Sequence, residues 1–139
     1  MSKYIIGLAI GACLLGECAM AETIEMVIGD KAYPVQLENH DAAKDFIKRL
    51  PMTLTFENFG STERIAYLKN ALTLGSAPRS TNPVTGDFAY YIPWGNVCVF
   101  VRDFRPSEEL VPMGKFSAEA TEAIKHSGDK PVTFRALQK

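Results

Sequence analysis

Arg64 and Asn96 are the side chains best placed to offer a hydrogen-bond donor in apolar surroundings, and Phe59, Tyr91, Trp94 and Met113 are the groups that would wall it. A donor set among rings is what holding an amide requires, because a dry wall strengthens the bond that the donor makes. Trp94 lies in Pro93-Trp94-Gly95 between two apolar runs. A large indole at such a tip must pack beneath a loop or meet a partner. Arg64, Tyr91, Trp94 and Asn96 are therefore the candidate ligand-binding residues, placed around one mouth of the domain, with a peptide or small molecule as ligand. A plainer alternative makes Arg64 an outward charge paired with Glu63 or Glu57, and Tyr91 and Met113 part of the core.

The remaining reactive types do not assemble into a catalytic set, and no catalytic residue is assigned. Cys98 stands inside Val97-Cys98-Val99-Phe100-Val101 and reads as a small buried hydrophobe rather than a nucleophile, which would need a base beside it. Asp87 follows Gly86 at a strand start, where a carboxylate steadies a turn, and no second carboxylate faces it. His40 and His126 border the two helical segments as surface groups in the cap regions, not as ligands. Arg102, Asp103 and Arg105 read as a solvated ion-pair loop. Neither a Cys/His ligand cluster nor a glycine-rich phosphate loop, a GxSxG elbow or an HExxH pair occurs, so no metal and no cofactor is expected.

The charge balance narrows the partners. Fifteen Lys and Arg stand against sixteen Asp and Glu, a net −1, which recommends neither a nucleic acid nor an anionic membrane. The first 21 residues read as an address: Met1 to Lys3 start it positively, Tyr4 to Leu15 are apolar, and Ala19-Met20-Ala21 offers small residues where an export peptidase cuts. The apolar run is shorter than the roughly 20 residues that span a bilayer. Cleavage is expected after Ala21, leaving residues 22–139 as one domain without a transmembrane segment, periplasmic or secreted. A lipid anchor at Cys13, after Ile10-Gly11-Ala12, fits less well, since apolar residues continue past it. Cys13 and Cys18 leave with the leader, so Cys98 has no disulfide partner in the mature chain.

These residues need elements to hold them. Ile24 to Ile28 and Ala32 to Leu37 alternate around Gly29-Asp30 as a hairpin, with Pro34 at an edge or bulge. Ala43, Phe46, Ile47 and Leu50 recur at helical spacing, with Asn39 or Asp41 as cap and Pro51 as stop. Met52 to Phe56 and Glu63 to Leu68 read as strands, the latter with Ile65 and Tyr67 on one face and Arg64 and Ala66 on the other. Residues 69–85 show no period and either border a site or wrap an edge. Strands flank the Pro93-Trp94-Gly95 turn, where Gly95 supplies a positive φ. The run Val97 to Val101 lacks polar alternation and is expected to be covered on both faces, one by a helix. Leu110 to Phe116 is a strand bent at Pro112, Ser117 caps a helix through Lys125, and Pro131 to Leu137 closes the chain. Strands at short spacing with only two helices predict a mainly β fold: a closed barrel of about eight mostly antiparallel strands, its ends covered by two short helices.

Leu50-Pro51-Met52-Thr53-Leu54-Thr55-Phe56, the stretch Gly86-Asp87-Phe88-Ala89-Tyr90-Tyr91-Ile92-Pro93-Trp94-Gly95-Asn96-Val97, and Leu110-Val111-Pro112-Met113-Gly114-Lys115-Phe116 carry a likeness across nearly the whole mature segment. There the chain resembles a family of small bacterial cyclophilin-like proteins. The resemblance implies an eight-stranded barrel with two helices and no settled activity, and fold alone does not bring function with it. Cyclophilins twist an X-Pro amide with an arginine that follows a Phe-His pair and precedes a Gln-Gly-Gly-Asp stretch. Here the nearest arginine is Arg64 in Thr62-Glu63-Arg64-Ile65, which lacks both signatures, so the role does not carry over to it. The leading expectation is an exported, non-catalytic module binding a peptide or small ligand. The alternatives are a peptidyl-prolyl isomerase and an accessory subunit of a larger assembly, and the oligomeric state stays open.

Overall fold

Alternation sets the first register. The computed structural model describes residues 20–138, and it opens with β1 (Met20–Ile28) and β2 (Lys31–Glu38), joined by the two-residue turn Gly29-Asp30 with Ile28 opposite Lys31. Ile24 and Met26 on one strand and Val35 and Leu37 on the other turn inward, as the period of two requires. Pairing of β2 with β8 (Leu110–Phe116) begins at Val35, directly after Pro34, so the proline lies where no second neighbour needs its missing N–H.

The helix α1 (Asp41–Lys48) follows, then β3 (Met52–Thr55), β4 (Glu57–Phe59), β5 (Glu63–Tyr67), β6 (Asp87–Tyr91), β7 (Asn96–Phe100), β8, α2 (Ala118–Lys125) and β9 (Pro131–Ala136). The strands form one antiparallel sheet in the order β3-β9-β1-β2-β8-β6-β7-β5-β4. Its two terminal strands, β3 and β4, are consecutive in the chain and separated by Phe56 alone. The sheet therefore curls until its ends meet through one covalent step, giving a nearly closed barrel. The ninth strand beyond the expected eight is β4: the chain does not turn after Phe56 but runs on, exchanging β9 for β5 as its neighbour.

Rings fill the interior. Phe88 stacks on Phe134 at 5.8 Å and meets Phe46 of α1 edge-on at 5.7 Å, so the helix plugs the barrel with an aromatic side chain. Between Gly114 and Pro112 the β6–β8 register slips, leaving Met113 as the extra residue of a bulge. The carbonyl of Pro112 accepts a hydrogen bond from Nε2 of His40 at 2.6 Å, while Nδ1 of His40 accepts from the N–H of Ala43 at 3.2 Å. His40 is thus the cap of α1, in place of Asn39 or Asp41. Asp41 has turned its carboxylate outward to Ser76. Ser117 caps α2 as expected, accepting from Ala120.

Residues 68–86 wrap the barrel, their first half fastened to α1 and residues 80–82 bordering an open cleft shared with residues 106–108. Asp41 accepts hydrogen bonds from the N–H and hydroxyl of Ser76, Asp45 from the N–H of Thr73, and Arg49 donates to the carbonyls of Asn70 and Ala71. The N–H of Leu72 donates to the Tyr90 hydroxyl, and Leu72 and Ala77 are buried. Gly75, at φ +51°, passes so close to Asp41 that a Cβ there would collide with its carboxylate. This segment is a strap tied to α1.

Candidate functional site

The wall formed by β5, β7 and β6 has two faces, and the register assigns side chains to them. Ile65 pairs with Cys98 and Cys98 with Ala89; Tyr67 pairs with Asn96 and Asn96 with Tyr91. These residues share the outer face. Arg64 pairs with Val99 and Asn58 with Arg64, on the inner face. Val97 and Val99 join the barrel core, whereas Ile65, Ala89, Cys98, Phe100 and Leu110 form a second apolar layer outside it. The expected helix over this outer layer is not there. Residues 101–109 cover it instead, with Phe104 stacked on Phe100 at 6.2 Å.

Where that cover stops short, a cavity of about 350 Å³ opens on the outer face. The β6–β7 turn, Ile92 to Gly95, forms its upper lip: the N–H of Gly95 donates to the carbonyl of Tyr91 at 3.0 Å, and Gly95 takes φ +65°, as the sequence predicts. Trp94 projects from this turn and meets Tyr91 at 5.6 Å and Phe59 at 5.5 Å, both near-perpendicular. Three rings from three elements thus meet at the cavity, with Trp94 50% and Phe59 46% exposed. Ile65 and Leu110 supply apolar lining, and Glu63, Arg105, Ser107 and Glu109 the polar part.

Asn96 lines the same cavity at 2% exposure, and its Oδ1 has no hydrogen-bond partner among the described residues. A buried acceptor left unpaired is costly and uncommon. Toward the other end of the lining, burial raises the pKa of the Glu63 carboxyl, opposed only by the Cys98 thiol. Burial also pushes the Cys98 thiol well above its ordinary value, and the Glu63 charge adds to the shift, which favours the protonated thiol.

Of the four residues expected around one mouth, Tyr91, Trp94 and Asn96 come together at this cavity. Arg64 does not. It is 4% exposed and points the other way through the wall. Its Nε donates to the carbonyl of Ile124 at 3.0 Å, Nη1 to Asn58 Oδ1 at 3.0 Å, and Nη2 to Ser127 Oγ at 2.8 Å and to the carbonyl of Gly128. Nor is it an outward charge paired with Glu63 or Glu57. A buried guanidinium needs this many acceptors, and the end of α2 presents them. Arg64 is a clasp that fastens α2 to the barrel. Its one-residue offset from Glu63 and Ile65 reverses its direction, a separation the alternation along β5 already contained. The site also lies on the outer wall rather than at a barrel mouth. Sequence reasoning missed Glu63 and Phe104, whose role depends on a loop folding back over a strand.

Other reactive candidates find structural partners. Asp87 accepts from the N–H of Val84 at 3.0 Å and pairs with Lys115. Asp103 accepts from the N–H and hydroxyl of Thr85, which hold its carboxyl below the usual range, rather than from Arg102 or Arg105. Met113 lies in the core. Among the described residues, no group of three or more His, Cys, Asp or Glu could hold a metal ion, and no helix is long and apolar enough to cross a membrane.

An antiparallel barrel closed through Phe56, plugged by two short helices, is a small β-barrel domain of the cyclophilin type. The chain belongs to the Cyclophilin-like family, which it matches over residues 26–135. It is similar to the solution structure of a hypothetical protein from Archaeoglobus fulgidus at a TM-score of 0.65 and 20% identity, over 88% of this chain and all of that one. At that identity the likeness shows the shared fold. No curated protein matches the sequence.

Proposed function

We propose that this domain is exported and that it binds a small ligand or short peptide in the outer-wall cavity without transforming it. The observation that carries the proposal is the unpartnered, buried Oδ1 of Asn96 beside three rings, two of them half exposed. Such a polar atom among apolar walls is the usual build of a site that fixes one ligand group and shelters the rest. The engagement of Arg64 by four acceptors supports binding over amide rotation, because an isomerase needs a donor free to follow the twisting amide. Export rests on the leader pattern of residues 1–21, which lie largely outside the described residues. A cut after Ala21 falls beyond the irregularity between Met20 and Glu22 and leaves the β1–β2 register from Glu22 onward.

Trp94 is the only tryptophan in the chain, so its fluorescence reports on this cavity alone. Proline peptides, nucleotides, flavins and common metabolites should be screened together by Trp94 emission and melting temperature. A ligand of the site moves both, and its melting shift disappears in Trp94→Ala. A melting shift that survives Trp94→Ala, or a panel that moves neither signal, removes the site. A proline-peptide assay showing rate gain over the uncatalysed reaction would replace binding with isomerisation. Intact mass of the exported protein should begin at Glu22; a diacylated Cys13 start would replace the soluble form.

A further inference from the structure

The inference here rests on the proposed cavity and names its ligand class. We infer that the outer-wall cavity takes a small aromatic ammonium, its cationic group meeting Glu63 and a second donor meeting Asn96. Size comes first: about 350 Å³ suits a ligand of one ring and a short chain. Charge comes next. The acidic and basic side chains lining the cavity are Glu63, Arg105 and Glu109. The Arg105 guanidinium lies 4.5 Å from the centroid of the Phe104 ring, so one cation already rests on an aromatic wall here. Among the described residues neither Glu63 nor Glu109 forms an ion pair.

Placement then joins the two acceptors. On the outer face of β5 the residues run Glu63, Ile65, Tyr67, and Asn96 pairs with Tyr67. Glu63 and Asn96 therefore stand toward opposite ends of an apolar floor, about 13 Å apart at the main chain by strand rise. Side-chain reach from both ends shortens the gap to the length of a para-substituted phenethylamine. The Cys98 thiol beside Glu63 donates to the Ala89 carbonyl at 3.6 Å, so among the described residues the half-buried Glu63 carboxylate, like Asn96 Oδ1, is left without a strong donor. A cation at one end and a hydroxyl or amide N–H at the other would satisfy both, while Phe59, Tyr91 and Trp94 present ring edges and faces to the middle. Each acceptor faces a donor on the ligand, and with Glu63 and Glu109 set against Arg105 the lining carries a net negative charge that disfavours an anion.

Three probes with the same phenol ring and nearly the same length test the assignment: tyramine, its neutral alcohol counterpart 4-(2-hydroxyethyl)phenol, and 4-hydroxyphenylacetate. Trp94 emission, excited beyond phenol absorption, and the indole N–H resonance give the dissociation constants. Tyramine is expected to bind about tenfold tighter than the alcohol, and the carboxylate weakest. Glu63→Gln should bring the tyramine-to-alcohol ratio to near one, and Asn96→Ala should weaken tyramine and the alcohol by similar factors. Added salt should weaken tyramine alone, which tests the charge in the unaltered protein. The inference is overturned if the carboxylate or the alcohol equals tyramine, or if Glu63→Gln leaves the preference intact. In the first case the cavity stands and only its charge preference falls. If neither these probes nor the wider panel perturbs Trp94, cavity and ligand class fall together.

Discussion

Beneath residues 68–86, α1 and the residue that ends it turn Asp41, Asp45 and Arg49 toward the strap, and each finds main-chain partners there. Beneath residues 101–109, the outer wall leaves Asn96 Oδ1 unpaired, Glu63 without an ion pair and two large rings half exposed. Both are irregular connections laid over a barrel. They are themselves joined where Thr81 and Ser107 exchange main-chain hydrogen bonds. The difference lies in polar satisfaction. Where acceptors and donors match within the chain, a long loop is scaffold; where they are left over beside apolar walls, the chain awaits something it does not contain.

The largest expected effect tests whether Arg64 belongs with the scaffold. Arg64→Ala should lower stability by about 3 kcal/mol or more, read from the urea midpoint at unchanged m, because it orphans buried acceptors at the end of α2. A loss under about 1 kcal/mol would dissolve the clasp. Asp45→Ala comes next. It removes the acceptor shared by Thr73 and Arg49 and should cost about 1 to 2 kcal/mol, with faster hydrogen exchange confined to the strap. Tyr90→Phe should cost about 1 kcal/mol and expose the Leu72 amide to exchange. Trp94→Ala, at the half-open rings, should change stability by no more than about 1 kcal/mol; a larger loss would make the indole scaffold too.

Acid and neutral pH should separate the two regions with opposite sign. Partial burial pushes the Asp45 carboxyl up, but the bonds from Thr73 and Arg49 outweigh it and hold the value below 3.8. The strap's contribution is therefore complete above 3.8 and lost as pH falls through the lower folded value. Glu63 runs the other way: burial raises it above 4.5, so ionising it in the fold costs stability as pH climbs from 4.5 through the raised value. Asp45→Asn should flatten the acid limb of a melting-temperature profile, and Glu63→Gln the decline above it. A Glu63→Gln profile superimposed on the wild type would show that the carboxylate is not desolvated in solution.

Much of this was legible beforehand because it is local. The Gly29-Asp30 turn, the positive φ at Gly95, the Ser117 cap and the element order all follow from a few neighbouring residues. The barrel class followed from strand spacing and from the likeness carried by residues 86–97. What stayed hidden depends on chain segments meeting at a distance. Nothing near Arg64 announces the carbonyls of Ile124 and Gly128, and nothing near Cys98 announces that Phe104 folds back beneath it in place of a helix. The cap at His40 was missed for the same reason, since its second bond runs to Pro112, 72 residues away.

The single-residue link at Phe56 carries one more consequence. With β3 and β4 end to end, the two margins of the sheet meet along one seam that the chain itself holds, and parting it would lengthen the free strand edges open to pairing. A glycine-rich insertion beside Phe56 would part that seam while sparing the aromatic interior. The product should be a protein that folds and then polymerises, its molecules stitched side to side into fibrils.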